Sequence, residues 1–69
     1  MTIFSHDFIE SSAIKSASYD TEEEELTITF LTGRTYIYVD CPKETYDGLV
    51  ASKSAGKHFA AIKNGLTLK

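Results

Sequence analysis

The sequence predicts an α+β domain: a three-stranded antiparallel sheet followed by two helices packed on one face. Three observations carry this. Residues 25–31, ELTITFL, alternate apolar and polar side chains. Thr32-Gly33 is a turn signal, and RTYIYVD (34–40) reads as the returning strand of a hairpin. After Pro42 the apolar spacing changes from that of a strand to that of a helix.

Taken in order, SSAIKSASYD (11–20) has the β-branched and aromatic character of a first strand. DTEEE is a polar connection that opens on the turn former Asp20. The hairpin 25–40 follows. Pro42 ends the sheet and suits the first position of a helix. In PKETYDGLVAS, Pro42, Tyr46, Leu49, Val50 and Lys53 share one helical face. Gly48 costs that helix roughly 1 kcal/mol relative to alanine, so packing must hold it. Ser54 is placed as the N-cap of a second helix, AGKHFAAIKN, with Ala55, Phe59 and Ile62 as its apolar stripe. Asn64-Gly65 is a stop signal, and LTLK adds a short extended tail. No repeat or linker interrupts the chain.

A chain of 69 residues is one domain, here 1–69. A domain of this size buries only about 60% of the surface of its unfolded chain, so its stability is marginal and a weak homodimer would add to it. With 42% apolar and 25% charged residues, the composition is that of an ordinary globular protein. No apolar run approaches the roughly 20 residues of a membrane helix, and MTIFSHDF lacks the pattern of a signal peptide. Cys41, the single cysteine, fits a reducing compartment. The expectation is a cytoplasmic protein with no membrane partner.

The net charge of −3 is unevenly placed. Residues 1–41 carry eight acids against Lys15 and Arg34, whereas residues 42–69 carry five lysines against Glu44 and Asp47. A domain built only to grip phosphates is basic overall, so any nucleic-acid contact here uses a local patch.

Tyr36 and Tyr38 lie on one face of their strand, and register decides which face. A two-residue loop pairs Ile28 with Ile37 and Leu26 with Val39, which turns both tyrosines away from the core. A three-residue loop with a bulge at Gly33 or Arg34 places Tyr36 opposite Phe30 and Tyr38 opposite Ile28, and the tyrosines then build the core. The local pattern favours the first register, and both remain open.

At YIYVDCP, a tyrosine four residues after the proline, and SAGKHF, the chain resembles the KTSC domain family. That family is named for a C-terminal extension of some lysyl-tRNA synthetases and also occurs as short bacterial and phage proteins. The residues that carry the resemblance are Gly33, Tyr36, Tyr38, Pro42, Tyr46, Ser54, Gly56 and Phe59, and it spans about residues 11–65. Three positions depart from the pattern: Ile37, Cys41 before the proline, and Ala60 after the phenylalanine. The resemblance carries over no established activity. RNA binding follows only from the synthetase association.

Two regions are candidate binding sites. Arg34, Tyr36 and Tyr38 would form a stacking surface for bases, worth about 1–3 kcal/mol per base. Lys53, Ser54, Gly56, Lys57 and His58 would form an anion site, because free N–H groups at a helix start attract phosphate. His6, Asp7, Cys41 and His58 show no zinc spacing, so no metal and no cofactor is expected. Nothing places a base beside a nucleophile, so no catalytic residue is expected. The reading is a non-catalytic binding module for RNA or another phosphate-bearing ligand, such as a nucleotide. The alternatives are a protein-interaction module, such as a phage-encoded inhibitor using the acidic run Glu22–Glu25, and a protein that sequesters a small nucleotide.

Overall fold

Five antiparallel strands lie in the sheet in chain order: β1 (Ile3–Asp7), β2 (Ile14–Asp20), β3 (Glu25–Phe30), β4 (Thr35–Val39) and β5 (Thr67–Leu68). Helices α1 (Lys43–Ala51) and α2 (Ala55–Ile62) cover one face, and a 3₁₀ turn at Lys63–Gly65 leads into β5. This computed structural model describes residues 2–9 and 13–69.

The α+β class and the two helices on one side of the sheet hold, but the expected three strands are five. β1 gave no periodic signal because all five of its residues are exposed, so no core face marks it. β5 is only two residues long and is defined by its pairing with β4. The first expected strand is β2. Residues 11 and 12 of that expectation lie outside the described residues.

Two backbone devices set which side chains face the helices. In β2 the register shifts between Ile14 and Ser16, a bulge at Lys15. The bulge changes the phase of the alternation, so Ile14 joins Ala17 and Tyr19 in the core while Lys15 stays exposed. The β3–β4 loop is the three-residue form, Leu31-Thr32-Gly33. The Gly33 N–H donates to the Phe30 carbonyl at 2.9 Å, and the Phe30 N–H donates to the Arg34 carbonyl at 2.8 Å. Gly33 has φ +95°, the left-handed region that glycine enters without strain.

Ile28 therefore lies opposite Tyr36, and Leu26 opposite Tyr38. The expected two-residue loop is overturned. The three-residue alternative is right in loop length and in the face it gives the tyrosines, but its partners are displaced along β3. Both tyrosines face the helices. Ile37, opposite Thr27, is half-buried on the open face.

The core is Ile14, Leu26, Ile28 and Leu49, all with no exposed surface, with Tyr19, Tyr38, Tyr46, Cys41, Ala55 and Phe59 around them. Phe59 of α2 meets Phe30 at 5.7 Å and Tyr38 at 5.6 Å between ring centroids, both edge-on. Tyr46 of α1 stacks on Tyr19 at 6.0 Å. Edge-on and stacked pairs of this kind add about 0.5–1.5 kcal/mol each beyond area burial. The Tyr19 hydroxyl donates to the Cys41 carbonyl at 2.5 Å, which gives a buried polar group its partner. The Cys41 N–H in turn donates to the Glu24 carbonyl at 2.9 Å. Glu24 (φ 52°) and Asp40 (φ 54°) both take left-handed backbone where the β2–β3 turn meets the entry to α1.

Candidate binding groove

The β3–β4 hairpin projects beyond the core and opens a groove of about 460 Å³, lined by Ala13, Phe30, Leu31, Thr32, Arg34 and Tyr36. Its shape follows from the loop. The Leu31 N–H donates to the Ala13 carbonyl at 2.9 Å, tying the hairpin tip to the start of β2. Phe30 lines the groove and meets Tyr36 edge-on at 5.6 Å and 79°. Arg34, opposite Phe30 across the hairpin, is exposed and forms no ion pair among the described residues.

The predicted site residues separate into those the structure gathers and those it takes away. Arg34 and Tyr36 line one groove. Tyr38 is only 9% exposed and packs on Phe59, so its ring belongs to the core and is not available for stacking. Burial pushes its hydroxyl pKa above the usual 10.0, with smaller contributions from Tyr36 and Cys41.

Ser54 is the N-cap of α2 as expected, its hydroxyl accepting from the Lys57 N–H at 3.5 Å. Lys53 and Lys57 are exposed, and the first turn of α2 holds no acid. His58 does not join them. A Cβ on Gly48 would lie 3.4 Å from His58 Nε2, so the imidazole rests against the glycine of α1. Gly56 abuts the groove, since a Cβ there would lie 3.3 Å from the Ala13 methyl carbon. Ala13 therefore joins the start of α2 to the groove wall.

The sequence reading missed Ala13, Phe30, Leu31 and Thr32. Phe30 and Leu31 read as the end of a core strand, and Ala13 carried no chemical signal at all. Among the described residues no three His, Cys, Asp or Glu side chains come together. His6 instead lies edge-on to Phe8 at 4.7 Å. Burial, followed by Asp40 and Glu24, pushes the Cys41 thiol above its usual 9.0, which disfavours a nucleophilic thiolate. No helix among the described residues is long and apolar enough to cross a membrane.

Comparison with known proteins matches residues 10–64 to the KTSC domain family model. A protein from Tsukamurella paurometabola is 45% identical over 54 residues, 78% of this chain and 81% of that protein. An uncharacterized protein from Stutzerimonas stutzeri is 35% identical over 54 residues, 78% of this chain and 76% of that protein. The crystal structure of a KTSC domain protein from Yersinia pestis superposes with a TM-score of 0.85 at 26% identity, covering 99% of this chain and 96% of that one. The groove and the start of α2 fall inside the matched residues, while β1 and β5 fall outside them. The chain belongs to the KTSC family.

Proposed function

We propose that the protein is a non-catalytic binding module that takes RNA or another phosphate-bearing ligand in the groove beside Arg34. The observation that carries this is Arg34 itself: a guanidinium that forms no ion pair among the described residues and lines an open groove together with the rings of Phe30 and Tyr36. A guanidinium binds phosphate in a planar fork, and a ring edge or methyl wall accommodates a base or sugar. The groove volume lies in the roughly 300–1,000 Å³ range of small-ligand sites, enough for one nucleotide unit. Lys53, Lys57 and the α2 cap at Ser54 and Gly56 extend the cationic side. Tyr38 and His58 are left out of the proposed site because of their packing.

The test is titration with short single-stranded RNA at varied salt. Affinity should be weak, fall as salt rises, and drop further in Arg34→Ala and Lys57→Ala. Absence of binding at low salt, or binding indifferent to both substitutions, would rule the reading out.

A second reading, protein interaction, is supported by the opposite end of the sheet. Glu22, Glu23 and Glu24 are exposed at the β2–β3 turn, which Asp20 caps by accepting from the Glu22 N–H at 2.9 Å and the Glu23 N–H at 3.3 Å. A basic protein partner lost on neutralising Glu22–Glu25 would favour it.

A further inference from the structure

Resting on the proposed role of the groove as the phosphate site, we infer that it seats one nucleotide unit and no more: a single base against one ring and a single phosphate on Arg34. A nucleoside monophosphate is then a complete ligand, and a longer strand gains no further grip. Three features set the limit. Phe30 and Tyr36 are the rings among the described lining residues, and their planes stand at 79° to one another. A planar base lies parallel to one of two perpendicular rings and meets the other at its edge, so a second base has no face to stack on. Tyr38, next on that side of β4, would lengthen the row, but it packs on Phe59 in the core.

The third feature is charge. Arg34 is the one cation among the described residues that line the groove. Its planar fork spans two oxygens of one phosphate. Lys53 and Lys57 stand outside the lining, where they attract an anion at long range and give it no second seat. The chain carries a net −3, and eight of its ten acids lie in residues 1–41, the part that also supplies the groove lining. A strand extended beyond the groove brings further phosphates toward this acidic half with no cation to match them. A mononucleotide brings only the phosphate that Arg34 can hold.

Amide chemical shifts, followed in titrations with uridine 5′-monophosphate, uridine and a uridylate octamer, test this. The monophosphate should shift the amides of Phe30, Leu31, Thr32 and Tyr36. Uridine should bind at least about tenfold more weakly, and Arg34→Ala should bring the monophosphate down to the level of uridine. Arg34→Lys, which keeps the charge and loses the fork, should fall between the two. The octamer should gain at most about tenfold over the monophosphate, the statistical factor of its overlapping positions. A larger gain overturns the single-unit site and leaves strand binding in the groove standing. A monophosphate response indifferent to Arg34→Ala overturns it as well. Silence of both phosphate-bearing probes overturns the single-unit site together with the phosphate-binding role of the groove.

Discussion

Gly56 of α2 and Ala13 at the entry to β2 are in near contact: a Cβ on the glycine would stand 3.3 Å from the alanine methyl carbon. The helix start is thereby pressed against the wall of the groove. A large residue at 56 must push the two apart. Gly56→Leu is expected to destabilise by about 1–3 kcal/mol in urea unfolding, despite the helix preference of leucine.

Tyr36 and Tyr38, two residues apart, should respond differently to the same truncation. Tyr38→Ala removes a buried ring and is expected to cost about 3–5 kcal/mol. Tyr36→Ala removes a half-buried one and should cost markedly less; on the proposed reading it should also weaken RNA binding. Urea midpoints and titrations on the two variants separate packing from binding.

Removing the cap of α2 should be mild. The Ser54 hydroxyl meets the Lys57 N–H at the long distance of 3.5 Å. Ser54→Ala is therefore expected near the low end of the cap range, about 0.5–1 kcal/mol, read from the chemical denaturation midpoint.

Stability should fall in alkali. Burial raises the hydroxyl pKa of Tyr19, Tyr38 and Tyr46 above 10.0 and the thiol pKa of Cys41 above 9.0. The folded chain then holds these protons where the unfolded chain has lost them. Stability is full below the unfolded values and declines from about pH 9 upward, through the raised folded values. Urea midpoints between pH 7 and pH 11 check the sign. Tyr19→Phe should flatten part of the slope. It should also cost about 1–3 kcal/mol at pH 7, because the Cys41 carbonyl loses its buried donor.

The hairpin, both helices and the Ser54 cap were legible because each has a strong local cause: alternation, a proline, or a capping side chain. The tyrosine face was not, because it turns on one residue of loop length. Gly33 permits the left-handed step that makes the loop three residues long, and every β4 side chain follows that choice. The bulge at Lys15 hides Ile14 in the same way, since strict alternation places Lys15 on the core side. For the site, charge near Ser54 marked the start of α2, but only the helix rotation shows that the His58 ring lies against Gly48. The groove walls at Ala13 and Phe30 have no chemical signature in a linear chain.

Each strand lies beside the one that precedes it in the chain, from β1 to β4, and β5 follows only after the helices. A ribosome delivering this chain therefore presents the partners of β1 to β4 in turn, and only the second edge of β4 waits for a distant strand, β5. Native pairing can keep pace with synthesis, leaving few unpaired edges open to aggregation until α1 and α2 close the core.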